Sequence, residues 1–96
     1  MIYRNRKLLD LAQYAPCMRC GAQDGTVVAA HSNQIRDGKG TRIKANDYRI
    51  AFLCGRCHYR IDEERIDREI KIAEWEEAHR KTMGWLFDNN HLVVTG

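Results

Sequence analysis

Four cysteines in two closely spaced pairs are the residues of this chain best suited to chemistry. Each pair encloses two residues, and the four are Cys17, Cys20, Cys54 and Cys57. Two such C-x2-C knuckles supply the four thiolates that a structural Zn²⁺ takes in tetrahedral geometry. Because four sulfurs fill that geometry, no position is left for water or substrate. The pattern therefore predicts a structural zinc.

The gap between the pairs is long, since 33 residues separate Cys20 from Cys54. A zinc ribbon usually has about 15–20 residues there, so the insert must be structured enough to bring the pairs together. Two disulfides in a secreted mini-protein are the alternative use of four cysteines. We expect neither a secretory signal nor a transmembrane helix, because no suitable apolar run is present. The expected location is therefore cytoplasmic.

Two histidines lie beside the cysteine pairs and are not needed by a four-sulfur zinc site. His58 follows Cys57 directly, and Asp62 lies four residues later, on the same face of a helix. This pair can share a divalent cation, although acidic residues also favour the start of a helix for its dipole alone. His31 could take a proton from water, because histidine titrates near neutral pH. A surface or packing histidine explains His31 equally well.

Positive charge is concentrated in the half of the chain that holds the cysteine pairs. Residues 1–57 carry a net charge of +6, and residues 58–96 carry −3. This asymmetry favours a phosphate-rich partner such as nucleic acid, with solubilising surface charge as the alternative. The densest stretch is a glycine-containing loop, which is suited to close approach to phosphates. Its cations are Arg36, Lys39, Arg42 and Lys44.

Two short strands are predicted between the cysteine pairs. Residues 26–30 form the first, with His31 at its end, and residues 47–53 form the second, which leads into Cys54. Residues 32–44 are polar and basic and contain glycine, so we expect an exposed loop. The strands and loop would bring the two knuckles together.

Helices are predicted on both sides of the strand pair. Residues 8–14 form a short helix that ends before Pro16. Residues 58–86 contain one glycine, no proline and apolar residues at helical spacing, with a break or turn expected near 63–68. The histidines in and after this segment have no partner at a useful spacing, and we interpret them as surface residues. They are His79 and His91.

The long C-terminal helix offers more apolar surface than so small a core requires. Exposed apolar surface often marks an interface, so these residues could form the contact of a homodimer. They are Trp75, Met83, Trp85 and Leu86.

The ordered set of these features resembles the ββα-metal endonucleases, also called HNH or His-Me finger nucleases. The shared order is a C-x2-C pair, a strand ending in Ala30-His31, a loop, a second strand, and a C-x2-C pair followed by His58. The resemblance covers roughly residues 17–62. More narrowly, the following residues are similar to a family of small phage and prophage nucleases: Ala30-His31-Ser32-Asn33, Gly38-Lys39-Gly40, Lys44-Ala45, Asp47, Leu53-Cys54, Cys57-His58 and Asp62.

The resemblance implies an α+β fold and a hydrolytic mechanism. The chain would be one domain over residues 1–96, with a zinc-stapled ββα-metal core at 17–62 and a C-terminal helix and tail at 63–96. His31 would be the general base that activates water for attack on a DNA phosphodiester. His58 would hold a catalytic Mg²⁺ or Mn²⁺, which stabilises charge on the phosphate. The substrate would be DNA, branched or single-stranded, in a phage- or prophage-bearing cell.

One position departs from the pattern of the superfamily. Many members have an acidic residue directly before the base histidine as a second metal ligand, and here that residue is Ala30. Asp62 could substitute as ligand, with Asp47 as the lesser candidate. Asn33 and Lys39 could orient the loop or contact phosphate, together with the other loop cations.

Two other function classes stay open at this level. A zinc module without catalysis could bind nucleic acid through its basic half. A zinc-stapled domain could instead bind another protein through its acidic C-terminal helix.

Overall fold

Two short antiparallel strands lie at the centre of the structure, a computed structural model that describes residues 2–95. Strand β1 pairs with β2 so that Val28 lies opposite Leu53 and His31 lies opposite Ile50. The elements in chain order are α1 (Arg6–Asp10), a 3₁₀ turn (Leu11–Tyr14), β1 (Val28–His31), a 3₁₀ turn (Ile35–Asp37), β2 (Ile50–Leu53), α2 (Gly55–Asp62) and α3 (Arg68–Asp88). Among the described residues, no helix has the length and apolar character needed to cross a membrane.

Strand β2 is buried on both faces and along its outer edge. Its residues are continuously apolar and fully buried, as expected for a strand covered on both sides. The Phe52 N–H donates to Thr82 Oγ1 at 2.9 Å, and His79 Nδ1 donates to the Ile50 carbonyl at 2.6 Å. The Met18 N–H donates to the Phe52 carbonyl at 2.8 Å. Side chains of α3 and the backbone of the first knuckle therefore satisfy an edge that could otherwise pair with another chain.

His79 corrects one prediction from the sequence. It is half-buried, stacks on Trp75 with ring centroids 5.0 Å apart, and bonds the sheet backbone. The prediction that it is a surface residue is therefore wrong, because its partner is a backbone carbonyl that has no sequence signature. His91 is exposed, as predicted, and its ring lies against Trp85.

Helix α3 packs one face on the sheet and supplies much of the core. Its fully buried residues recur at helical spacing: Trp75, Ala78, Thr82 and Leu86. The Trp75 Nε1–H donates to the Ala30 carbonyl at 3.0 Å, and this bond fixes the helix against β1. Met83 and Trp85 also pack against the core. The four residues that were expected to form a dimer contact therefore pack in or against the core of their own chain. A homodimer stays a prediction, and no surface is assigned to it.

The predicted elements are present, with shifted boundaries. Both strands begin two to three residues later than expected, and the break at 63–67 between α2 and α3 confirms the expected interruption. Helix α2 begins at Gly55, not at His58, because Cys54 is its N-cap. The second knuckle is therefore itself the first turn of a helix. The loop 32–44 is only partly exposed, since Ser32 and Gln34 are buried.

Candidate functional site

The four cysteines form one tight cluster. Their Sγ atoms all lie within 4.8 Å of one another, and the Sγ atoms of Cys20 and Cys54 are 3.7 Å apart. Zinc–sulfur bonds of about 2.3 Å in a tetrahedron place neighbouring sulfurs about 3.8 Å apart. No disulfide joins these cysteines. The cluster thus has the donor set and spacing for zinc, and the structure does not support the two-disulfide alternative.

Local backbone geometry forms each half of this cluster. In the first knuckle the Gly21 N–H donates to the Cys17 carbonyl at 2.8 Å, and Gly21 has a φ of 82°. Glycine adopts that left-handed conformation without steric cost. In the second knuckle Cys54 caps α2, so Cys57 lies one helical turn further along the same face. The Gly55 N–H donates to Thr26 Oγ1 at 2.8 Å, which fixes this helix start to the chain before β1.

The thiols of the cluster differ in how readily they ionise. Burial raises the pKa of Cys57 to about 12, although Arg19 Nη1 donates to its Sγ at 3.5 Å. Burial also raises the pKa of Cys54. For Cys17 burial acts in the same direction, but hydrogen bonds from backbone N–H groups outweigh it and lower the pKa to about 6. A bound metal supplies the positive charge that converts buried thiols to thiolates.

His31 lies at the end of β1 and bonds a buried carboxylate. Its Nε2 is 2.8 Å from Oδ1 of Asp47, whose side chain is 3% exposed. The Asn5 N–H donates to the other oxygen of Asp47 at 2.7 Å, and Arg4 lies 3.4 Å from Oδ1. Burial alone would raise the pKa of Asp47, but the bonds from His31 and Asn5 outweigh it, and the pKa is lowered. The ionised carboxylate therefore accepts Nε2–H and leaves Nδ1 of His31 as the basic nitrogen.

His58 and Asp62 meet on one face of α2, as their spacing predicted. Their Nε2 and Oδ2 atoms are 2.9 Å apart, and each side chain is a little over one third exposed. This distance is a hydrogen bond, and it is also near the spacing of about 3 Å between neighbouring ligands of an octahedral ion with bonds of 2.0–2.1 Å. The pair could thus hold a Mg²⁺ or Mn²⁺ ion while leaving positions open.

Asn33 joins the two histidine regions. It follows His31 by two residues, and its Nδ2 donates to Oδ1 of Asp62 at 3.0 Å. Ala30, which stands where many nucleases of this type have an acid, is buried in the sheet and offers no side-chain ligand. Of the two candidate acids, Asp62 lies with His58 and Asp47 lies with His31. Asp62 could therefore act as a metal ligand beside His58, whereas Asp47 is occupied by its bond to His31.

The loop cations divide into paired and free side chains. Arg36 is 2.7 Å from Glu76 of α3, and Lys39 Nζ donates to the Gly40 carbonyl at 3.3 Å. Arg42 and Lys44 are exposed, and within residues 2–95 neither forms an ion pair. The side chains expected to bind phosphate therefore differ in availability, and Arg42 and Lys44 are the exposed members without an ion pair among residues 2–95.

Sequence reasoning missed two features of the site. The bond between His31 and Asp47 joins residues 16 positions apart across a loop, and no periodic pattern indicates such a pairing. A groove beside Asp62, lined in part by Arg68 and Lys71, is formed by the turn between α2 and α3. Only the predicted helix break could have indicated it.

Comparison with models of known protein families, with curated proteins and with solved structures finds no match to this chain. The relation to the ββα-metal nucleases therefore stays a resemblance of motifs within residues 17–62. Independently of that resemblance, the structure shows an α+β architecture with a two-stranded sheet and a cysteine cluster that could hold zinc.

Proposed function

We propose that this protein is a metal-dependent endonuclease that hydrolyses phosphodiester bonds in DNA. The observation that carries the proposal is the 2.8 Å bond between His31 and the buried Asp47. A carboxylate that holds one nitrogen of an imidazole orients the ring and leaves the other nitrogen to accept a proton. His31 is 15% exposed at its side chain, so water can reach it. In the proposed reaction Nδ1 takes the proton from the attacking water.

The second part of the proposed site is the half-exposed pair on α2. His58 and Asp62 would hold the divalent ion, which supplies positive charge to the phosphate and the leaving oxygen. The hydrogen bond from Asn33 fixes the orientation of the Asp62 carboxylate. In this proposal the zinc has a structural role only, because four sulfurs complete its coordination.

A second candidate function is a zinc module that binds DNA without cutting it. One observation favours it: within residues 2–95 the cysteine cluster is the only group of three or more metal-ligating side chains. A catalytic ion at His58 and Asp62 would take its other ligands from water and phosphate. The two candidates differ in whether DNA bound by the protein is cleaved.

A plasmid-nicking assay with Mg²⁺ or Mn²⁺ distinguishes the candidates. We expect nicking by the wild type and a rate at least about 100-fold lower for His31→Ala, the usual size of a general-base contribution. Because His31→Ala removes one of the donors to the buried Asp47 carboxylate, His31→Gln is the second variant, since its amide can still donate there. His91→Ala is the control histidine and should nick normally.

Zinc content and melting temperature are measured on the same preparations. Binding of plasmid without nicking by the wild type would refute the nuclease and favour the second candidate. Equal nicking by His31→Gln and the wild type would remove His31 from the mechanism.

A further inference from the structure

A groove of about 490 Å³ opens beside Asp62, between the end of α2 and the start of α3. Its floor is apolar: Ile61 and Trp75 are buried there, and Ile66 and Ile72 are half-buried. Ligand sites in proteins usually have about 300–1,000 Å³, so the groove has room for a single small group. It is far too small for a double helix.

The groove is lined by two cations that no acid among residues 2–95 neutralises. Arg68 and Lys71 line it from the first turns of α3, and neither forms an ion pair within residues 2–95. By contrast, Arg60 on α2 is tied to Glu74 by two bonds of 2.7 and 2.9 Å. The charge of Arg68 and Lys71 is therefore available to an outside anion.

Two acids and two amides also line the groove. Asp62 already accepts a hydrogen bond from Asn33 and contacts His58. Glu63 is exposed on the α2 side, so it would repel a phosphate there. An anion would consequently be held on the α3 side, while the apolar floor takes an uncharged ring.

We propose that this groove binds one unpaired nucleotide of single-stranded DNA, or of the single-stranded part of branched DNA, next to the phosphate that is cut. The inference rests on the proposed function, because Asp62 belongs both to the groove and to the candidate catalytic pair. Cations along the backbone and apolar contact with the base are how proteins hold single strands without reading sequence. A base inside a duplex is stacked on both faces and cannot enter.

Binding is tested separately from cleavage. The probe is a fluorescent single-stranded oligonucleotide, alongside the duplex of the same sequence, measured by anisotropy over a series of salt concentrations. The protein is full-length, zinc-loaded His31→Gln without added Mg²⁺ or Mn²⁺, so that no strand is cut. We expect tighter binding of the single strand than of the duplex. An abasic version of the strand should bind more weakly, because it has no base for the apolar floor.

The decisive variant is Arg68→Ala/Lys71→Ala in the same background. It should weaken single-strand binding about fivefold or more and reduce the salt slope by about 1.4, since each phosphate contact to a single strand contributes about 0.7. Duplex binding should not change. Lys81→Ala is the matched control, because Lys81 is an exposed α3 lysine outside the groove and without an ion pair in the described chain.

The groove assignment is overturned if the double variant leaves single-strand binding unchanged or weakens both forms equally. Tighter binding of an RNA strand of the same sequence would overturn the assignment to DNA. The proposed function fails separately: a wild type that prefers single strands through these residues but never nicks DNA would keep the groove and lose the nuclease.

Discussion

Helix α2 carries two sites that differ in how far the chain completes them. Cys57 and His58 are consecutive, yet Cys57 is 2% exposed whereas the His58 side chain is 37% exposed. The cysteine cluster brings four sulfurs together, three from buried residues and one from the exposed Cys20. The pair of His58 and Asp62 offers two ligands at the surface. A site closed by its own residues can only stabilise the fold, while an open one leaves positions for water and substrate.

The largest expected effect comes from breaking the closed site. Cys54→Ser should abolish folding, because structural zinc contributes about 10–16 kcal/mol and a domain has only about 5–15 kcal/mol of net stability. Far-UV circular dichroism and zinc content measure this. Chelator should unfold the wild type, and added zinc should refold it.

Thr26→Ala is the control, because it perturbs the same helix start without removing a sulfur. Thr26→Ala removes the acceptor of the Gly55 N–H and should cost about 1 kcal/mol, as does loss of a helix cap. Cooperative melting of zinc-free Cys54→Ser at the wild-type temperature would contradict a structural zinc.

Breaking the open site should leave the fold and remove activity. His58→Ala should abolish nicking with zinc content and melting temperature unchanged, since its side chain is half exposed and outside the core. Asn33→Ala should lower Mn²⁺ affinity about 10–100-fold, the usual effect of removing a group that orients a metal ligand. Plasmid nicking measures the activity, and titration of Mn²⁺ followed by electron paramagnetic resonance measures the metal affinity of each variant.

Glu63→Gln is the control for this pair, because Glu63 is an exposed acid next to Asp62 with no bond to it among the described contacts. It should bind Mn²⁺ like the wild type. If His58→Ala unfolds the protein, His58 stabilises the fold as the cysteines do, and the two sites no longer differ in role. Unaltered Mn²⁺ affinity in His58→Ala would place the ion elsewhere.

Local spacing explains why much of the closed site was predictable and less of the open one. Two residues between cysteines define a knuckle, and four residues between His58 and Asp62 define one helical face, so both follow from the sequence. The pairing of His31 with Asp47 depends on how the loop 32–46 closes, and the pairing of Asn33 with Asp62 depends on the packing of α2 against that loop. Such contacts between elements have no periodic signal.

The same distinction applies to the fold. Helices, the break between α2 and α3, and both strands follow from apolar patterns, and only their ends were misplaced. The roles of His79 and Thr82 could not be predicted, because both bond backbone groups of β2. Every strand offers such groups, whatever its sequence.

A smaller effect is expected from the partner of the proposed base. Asp47→Asn should lower the free energy of unfolding by about 1–3 kcal/mol at pH 7, because an amide nitrogen would face the Asn5 N–H and one buried donor would lose its acceptor. The lowered pKa of Asp47 means that the folded state favours its ionised form. Its contribution is therefore present above the pKa of an unfolded aspartate, about 3.9, and is lost as the pH falls through the lower folded value.

Urea unfolding at several pH values measures this difference. The gap between wild type and Asp47→Asn should narrow as the pH falls below about 4. Asp10→Asn is the control, since Asp10 forms an exposed pair with Arg6 and such pairs contribute about 0–1 kcal/mol. A gap that is equal at pH 7 and at the acid end would show that the charge of Asp47 is not what matters.

The smallest expected effect is on the salt dependence of DNA binding, and it comes from substituting cations of the loop 32–44. It shows which of these cations contact DNA. Arg4 Nη2 anchors the Lys44 backbone carbonyl at 2.9 Å while the Lys44 side chain is exposed, so Lys44→Ala removes a charge without releasing the loop. It should reduce the salt slope of duplex binding by about 0.9, one phosphate contact. Arg36→Ala should change it less, because Glu76 already neutralises Arg36. Equal slopes for wild type and Lys44→Ala would exclude the Lys44 side chain from the contact with duplex DNA.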